Sequence, residues 1–237
     1  MASKRNNFRR VALVLTVVAL VLLLIPPTQV AFAVFSDPPL VPMRIQRQLG
    51  ARIKGTKARE VPHRRVALED VPEDLIHFIW ASEDQAFFDH HGFDIPRLRT
   101  ALAEAKDGAP RGVSTITMQC ARSVFLWQGR SYPRKILEAY YTIWMELLMS
   151  KRRILELYLN NIEFGPGIYG IGAAAREYFE TTPDQLTRSQ MIALAAILPN
   201  PLKWSPVRPN PTVLHKIRRV ERLSSKAPFP REKLQEK

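Results

Sequence analysis

"PRKILEAYYTIWMELLM", residues 133–149, is apolar almost all the way round, the mark of a helix inside a domain rather than on its surface. Its exceptions are Arg134, Lys135, Glu138, Thr142 and Glu146, and four of these, Arg134, Glu138, Thr142 and Glu146, recur at a spacing of four and share one face. A polar stripe on a buried helix must face a cavity, a partner chain or a paired charge, because an isolated buried carboxylate is too costly to leave ionised. Two readings stay open: an Arg134 to Glu138 salt bridge one turn apart, and a cleft wall that presents a carboxylate beside two cations.

Working outward, the neighbouring segments are also helical and carry readable caps. Pro72 occupies a first-turn position ahead of Leu75, Ile76, Ile79 and Trp80. Asp94 caps a helix that stops at Gly108, Ser114 caps "TITMQCARSVFL", Ser150 caps "KRRILELYLN", and Thr187 with Gln190 forms a capping box for a helix ending at Pro199. There is no run of alternating strands and no internal repeat. A mainly α domain over 68–206 follows, with a Pro-rich basic tail over 207–237.

At the other end, residues 11–25, "VALVLTVVALVLLLI", hold no charge, and Lys4, Arg5, Arg9 and Arg10 precede them. As a helix this run rises about 22 Å, so a membrane span continues through Pro26 and Pro27 to Phe35. The expected layout is a cytoplasmic basic flank over 1–10, a single-pass transmembrane anchor over 11–35 and the remainder outside. A signal peptide cleaved at Ala31-Phe32-Ala33 is the rival. Residues 36–67 read as a juxtamembrane linker and membrane-associated segment. Between Arg44 and Arg65 this segment has eight basic residues and one acid, Glu60. It suits either a solvated connection or a strip held on anionic lipid.

The whole chain of 237 residues carries a net charge of +13, which implies an anionic partner, and its one cysteine, Cys120, excludes an internal disulfide and a Cys-rich zinc site. Within "ASEDQAFFDHHGFD", residues 81–94, Glu83 and Asp84 sit at a helix end before Phe87 and Phe88. A carboxylate against aromatic surface has its pKa raised by desolvation, which suits a general acid or base. His90 and His91 are adjacent and point apart, so they make a poor metal grip. His90 is read as closing a loop, with Gly92 supplying an unusual backbone angle and Asp94 starting the next helix. Glu83 and Glu138 then form two candidate acids on different helices, an arrangement used around anomeric carbons. Arg111, Arg122, Arg130, Arg134 and Lys135 crowd the approach to the second acid. Such a cationic lining fits a departing pyrophosphate better than the cleavage of an uncharged sugar polymer.

The ordered segments "EDQAFFDHHGFD", "RGVSTITMQCARSVFL", "RKILEA" with the following "ME", "KRRILELYLNNIEFGPGIYGIGAAAREYF" and "LAAILPNPLKWSP" together resemble the peptidoglycan glycosyltransferases of glycosyltransferase family 51, the domain shared with class A penicillin-binding proteins. In length and anchor the chain is similar to that family's monofunctional members. The resemblance implies a lysozyme-like, two-lobed, mostly helical fold that polymerises lipid II into β-1,4 glycan strands. It implies Glu83 as the base at the acceptor 4-hydroxyl, and Glu138 beside the donor pyrophosphate, assisting departure or positioning a cation. Ser114, Thr115, Gln119, Arg122, Arg134 and Lys135 match donor-site positions, with Asp84, Phe87, His90, Gly92, Asp94 and Gly112 in support. No obligatory cofactor is implied, with room for a divalent cation, Mg or Mn, near Glu138. Implied partners are lipid II, the growing strand and membrane lipid, with a separate transpeptidase and division or elongation proteins beyond them, and no nucleic acid. Three positions depart from the family pattern: Ala86 where a basic residue is usual, Met118 where the first of two glutamines is usual, and Arg122-Ser123 for Lys-Asn. The competing activities are a lytic enzyme that cleaves finished peptidoglycan and a non-catalytic basic module binding nucleic acid or acidic lipid. The second acid and the Arg-rich segment oppose the first. The convergence of charge on a buried helix opposes the second.

Overall fold

Local capping chemistry decides where the helices begin, and the computed structural model describes residues 2–56, 61–105, 112–129 and 131–235, omitting side chains in the first helix before residue 13 and at 18, 19 and 22. In order the helices are α1 (Ala2–Phe35), α2 (Pro42–Ile53), α3 (Glu73–Glu83), α4 (Ile95–Glu104), α5 (Ile116–Phe125), α6 (Tyr132–Leu148), α7 (Lys151–Asn161), α8 (Ile171–Phe179), α9 (Arg188–Ile197), α10 (Pro211–Lys226) and α11 (Arg231–Gln235). One antiparallel pair, β1 (Glu163–Gly165) and β2 (Ile168–Tyr169), joins α7 to α8. The mainly helical class expected from the sequence is what the chain adopts.

Asp94 accepts the Arg97 N–H at 2.9 Å, Ser150 accepts that of Arg153 at 3.3 Å, and Thr187 and Gln190 close their capping box. Each such cap contributes about 1 kcal/mol. Two expectations shift. The cap of α5 is Thr115 rather than Ser114: Thr115 has the extended backbone that precedes a first turn, and its hydroxyl accepts the Met118 N–H at 3.2 Å. The expected tail is also structured. Asn210 accepts the Val213 N–H at 2.9 Å, Pro211 opens α10, and Val213 and Val220 are buried where α10 packs on α3 and α9.

One apolar core runs through the domain. At its centre α5 lies on α7, with Ile116, Cys120 and Val124 on one helix and Ile154, Leu157 and Tyr158 on the other all fully buried. On one side α6 packs against α5, and Phe125 stacks on Tyr141 at 4.7 Å. On the other side α3 packs against α9 and α10.

The far end of α1 is part of this core: Val30 and Ala33 are fully buried, and α1 lies along α6. Pro26 and Pro27 stand inside α1. Proline has no N–H, so Pro27 deprives the Leu23 carbonyl of its helical partner; the Tyr140 hydroxyl donates to that carbonyl instead, at 2.9 Å. Tyr141 donates to the Gln29 side chain, and Arg153 donates to the Ala33 carbonyl at 3.0 Å. Among the described residues no helix is long and apolar enough to cross a membrane.

The basic segment is more ordered than a linker. Its first half forms α2, where Arg44 reaches Asn161 at 3.0 Å and Arg47 reaches Glu163 at 2.9 Å. Arg65 pairs with Asp37 and Glu156. Residues 57–60, with Lys57, Arg59 and Glu60, lie outside the described residues.

Candidate active site

Glu83 is the last residue of α3, and the chain leaves the helix at Asp84. The Asp84 carboxylate, 1% exposed, accepts the Ile116 N–H at 2.9 Å, which is the start of α5. A carboxylate at a helix N-terminus is favoured by the unpaired N–H groups and the helix dipole. The same carboxylate meets His90 Nε2 at 3.0 Å. His90 Nδ1 accepts the Gly92 N–H at 3.0 Å, so hydrogen bonding assigns the proton to Nε2. The end of α3 is thereby tied to the start of α5 and to the loop over 84–94.

Gly92 closes that loop at a φ of +88°, and a Cβ there would lie 2.6 Å from Thr142 Cγ2 and 3.0 Å from Glu146 Cγ. The loop therefore rests directly on the polar stripe of α6. Thr115 donates to the Gly92 carbonyl at 2.7 Å, and Thr117 donates to Glu146 at 2.5 Å. Lys151 donates to the His90 carbonyl at 2.7 Å, pairs with Glu146 at 2.8 Å and stands 4.5 Å over the fully buried Phe87 ring. His90, Gly92, Phe87 and Asp84 hold the loop in shape.

The Glu83 carboxylate accepts from Gln119 Nε2 at 2.9 Å through Oε2. Gln119 Oε1 in turn accepts the buried Tyr158 hydroxyl at 3.2 Å, which fixes which end of the amide faces Glu83. Among the described residues no donor reaches Glu83 Oε1. Desolvation pushes the Glu83 carboxyl above the usual carboxylate range, against the Gln119 hydrogen bond and the charges of Arg97, Lys216 and Arg122.

Glu83 opens onto a cavity of about 580 Å³. Its walls are Arg97 from α4, Gly112 and Ser114 before α5, Gln119 and Arg122 on α5, and Lys216 and Arg219 on α10. A second recess of about 510 Å³ shares Gln119, Arg122, Leu198 and Pro199 with the first and adds Ser123, Glu163 and Arg134. Together they make one continuous cleft with the carboxylate in one half and Arg134 in the other, Arg122 standing between.

Glu138 is behind this cleft rather than in its wall. It is fully buried, with Arg134 Nη1 at 2.6 Å and Lys135 Nζ at 2.5 Å on its two oxygens. Both readings of the α6 stripe therefore hold in part: the salt bridge is formed, and one of its cations faces the cleft. Arg134 Nε has no partner among the described atoms and is buried. Both Glu138 oxygens are engaged by cations, Arg134 and Lys135, and among the described residues no three His, Cys, Asp or Glu side chains are grouped to hold a metal.

Of the residues expected at the site, Glu83, Gly112, Ser114, Gln119, Arg122 and Arg134 line the cleft. Thr115 is a buried cap, Lys135 a half-exposed partner of Glu138, and Asp94 a cap bordering a smaller recess behind Glu83. Arg111 and Arg130 lie outside the described residues. Arg97, Lys216 and Arg219 were not anticipated. Arg97 sits on the first turn of a helix whose Asp94 cap is legible in the sequence, whereas the expectation of a tail over 207–237 misses Asn210, Pro211 and the apolar spacing of Val213, Ile217 and Val220.

The transglycosylase family model matches residues 49–224, so the match runs into α10 and includes every residue of the cleft named above. The biosynthetic peptidoglycan transglycosylase of Pseudomonas aeruginosa is 45% identical over 177 residues, 74% of this chain and 76% of that protein. That of Caulobacter vibrioides is 40% identical over 202 residues, 85% of each chain. That of Aeromonas hydrophila is 44% identical over 185 residues, 78% of this chain and 77% of that protein.

Proposed function

Because the chain belongs to the transglycosylase family of peptidoglycan glycosyltransferases, whose members polymerise glycan in cell wall synthesis, we propose that it joins lipid II units into β-1,4 strands and releases polyprenyl pyrophosphate. The observation that carries this reading is the pairing of a desolvated carboxylate having one unengaged oxygen with a cationic recess in the same cleft. Glu83 Oε1 accepts the proton of the acceptor's 4-hydroxyl as that oxygen attacks the donor's anomeric carbon. The bond from that carbon to the pyrophosphate oxygen breaks, and its electron pair leaves with the pyrophosphate. Arg122 and Arg134 stabilise the charge that develops there. Gln119, oriented by Tyr158, holds the base in line. Glu138 acts through Arg134, fixing the guanidinium by a charged hydrogen bond from behind.

One departure from the family pattern, Met118, lies away from the contact with Glu83. Met118 is buried in α5, whereas Gln119, the glutamine that is retained, is the one bonded to Glu83.

The same reading assigns α1 as a retained membrane anchor, with the basic flank in the cytoplasm and the catalytic domain across the bacterial inner membrane. Cleavage after Ala33 would strip Val30 and Ala33 from the core and remove the partners of Tyr140, Tyr141 and Arg153. Partners beyond substrate, strand and membrane lipid, including a transpeptidase and division or elongation proteins, belong to the same proposal.

The test is gel separation of the products from labelled lipid II, with and without Mg or Mn, beside a parallel incubation with purified sacculi. Ladder formation from lipid II without added metal is the expected result. Release of fragments from sacculi with no ladder would replace polymerisation by lysis. The mass of the purified chain's N-terminus tests retention of the anchor.

A further inference from the structure

The stretch "APFP", residues 227–230, follows α10 and lies beyond the span that the family model matches, which closes at residue 224. Proline fixes its own φ and confines the residue before it to extended backbone, so Ala227 and Phe229 have few conformations to lose on folding. Around Pro230 the Arg231 N–H donates to the Phe229 carbonyl at 2.9 Å, and the chain turns into α11. Leu234 is buried and fastens that short helix to the core, where it packs on α7.

The contacts of this stretch converge on α3 and on the loop that follows it. His77 Nε2, in the middle of α3, donates to the Ala227 carbonyl at 2.8 Å. Arg231 pairs with Glu73 in the first turn of α3 at 2.5 Å, and Lys233 pairs with Asp89 in the loop. Both ion pairs are open to water and hold little by themselves. Phe229 is placed differently. Its half-buried ring stands edge-on to Trp80 at 5.7 Å and to Phe88 at 6.0 Å, and is tilted against His77 at 5.6 Å, all within the range favoured by aromatic pairs. Trp80 precedes Glu83 on the last turn of α3 and Phe88 follows it in the loop, so one ring touches both arms of the corner at which Glu83 stands. Phe88 passes the contact on to Phe87 at 5.0 Å, the ring beneath Lys151.

We infer that residues 227–235 form a strap that positions the base: Phe229, wedged between Trp80 and Phe88, holds the end of α3 so that Glu83 stays on its bond from Gln119. The inference rests on the proposed role of Glu83 and adds to it a positioning residue outside the matched family span. Phe229 does not line the cleft and acts only through α3 and the loop. The strap also continues directly from α10, whose Lys216 and Arg219 line the cleft with Glu83. One segment therefore carries those cations and braces the carboxylate that they face.

The test compares the full-length unaltered protein in detergent with Phe229→Ala, Phe229→Leu and Leu186→Ala, the last a cut at a buried residue in the connection from α8 to α9. Initial rates of glycan formation from labelled lipid II are read at a temperature where thermal melts show all four folded, beside hydrogen exchange of the backbone amides by mass spectrometry. Phe229→Ala should lower kcat about tenfold, because small misplacements of a reacting group are costly, with KM for lipid II within about twofold of the parent. Exchange should quicken over 84–94, where the Phe87 and His90 N–H groups are bonded within the loop, and stay unchanged in α5 and α7. Phe229→Leu, which returns hydrocarbon to the wedge, should recover most of kcat. Leu186→Ala should lower the melting temperature while leaving kcat and the exchange of 84–94 unmoved. Unchanged kcat in folded Phe229→Ala would overturn the inference. So would exchange that quickens evenly through the domain, or an equal loss of kcat in Leu186→Ala, since either makes Phe229 a contact for stability alone. If the unaltered chain makes no glycan, the polymerase reading fails by itself, and the exchange over 84–94 still decides whether the strap braces the corner.

Discussion

Glu138 offers the sharpest test, since its carboxylate is fully buried behind Arg134 and Lys135 and the proposed mechanism lets it act only through them. Its two oxygens are held at 2.6 Å by Arg134 and 2.5 Å by Lys135, and its carboxylate is fully buried. Breaking a buried pair by removing one partner costs about 3–5 kcal/mol. Glu138→Gln falls below that range, because the amide oxygen still accepts from one cation and Lys135, with its side chain 43% exposed, can turn to water; about 2 kcal/mol is the stability loss to anticipate. In catalysis, loss of one donor to developing negative charge lowers kcat by about 10²–10³. Arg134→Gln should fall near the top of that range and Glu138→Gln near the bottom, since the guanidinium there is displaced rather than lost. If Glu138 works only through Arg134, the double variant stays within a few fold of Arg134→Gln. Independent action would instead multiply the two losses to about 10⁴–10⁵, and the coupling energy that separates these outcomes is about 2.7 kcal/mol. The assay is the initial rate of glycan formation from labelled lipid II, with thermal melts of all four proteins to set a temperature where each is folded. Multiplicative losses would refute the positioning role and give Glu138 a part in the chemistry itself.

Further expectations follow from the same contacts. Glu83→Gln should abolish strand formation, by at least the factor of about 10²–10⁴ that a general base contributes, while binding of lipid II by equilibrium titration is retained; near-normal turnover in a folded variant would remove Glu83 from the reaction. The same substitution should stabilise the protein. The Glu83 carboxyl is raised on folding, so its stabilising contribution is complete below the ordinary Glu value of about 4.3 and is lost as pH rises through the folded value. The variant's melting temperature should therefore exceed the parent's at neutral pH and converge with it in acid, each kcal/mol appearing as about 2–4 °C. Lys216→Ala removes a charge that lowers the Glu83 pKa, so the acidic limb of the rate against pH should move to higher pH; an unmoved limb would separate α10 from the base. Gly92→Ala puts a methyl 2.6 Å from Thr142 at a φ of +88° and should cost about 1–3 kcal/mol in a denaturant melt.

The sequence was most legible where one short-range signal sufficed. Asp94, Ser150 and Thr187 named their helix starts through capping chemistry that spans three residues, and the spacing of Arg134, Glu138, Thr142 and Glu146 marked the face of α6 that the 84–94 loop rests upon. Glu83 stands out because it lies at the end of an apolar helix beside aromatic rings. What escaped was set by contacts distant in the chain. Nothing near Lys216 indicates that α10 will fold back on α3 and α9 and bring a cation to Glu83, more than a hundred residues earlier. Nor does "RKILEA" disclose that the glutamate will be closed off while its arginine faces the cleft, because i, i+4 spacing gives neighbours on one face without saying which lies deeper. The capping of α5 by Thr115 rather than Ser114 has the same origin: both hydroxyls are plausible locally, and the Gly92 carbonyl, which takes the Thr115 proton, comes from another loop.

That last contact explains how two acids so far apart in sequence are kept in register. Glu83 is fixed to α5 by Asp84 accepting the Ile116 N–H and by its own bond from Gln119. The start of α5 is fixed to α6 by Thr115 donating to Gly92, which abuts Thr142, and by Thr117 donating to Glu146. Thr142 and Glu146 lie one and two turns beyond Glu138 on the same face, so the seat of the loop and the ion pair behind Arg134 belong to one rigid rod. Glu83 and Arg134 are therefore set by a single junction of four hydrogen bonds and one glycine contact. A displacement of about 1 Å at that junction would reach both ends of the reacting pair together, and near-attack geometry tolerates little more than that. This is the physical reason for a glycine at 92: a side chain there would push the loop off α6 and shift Glu83 relative to Arg134.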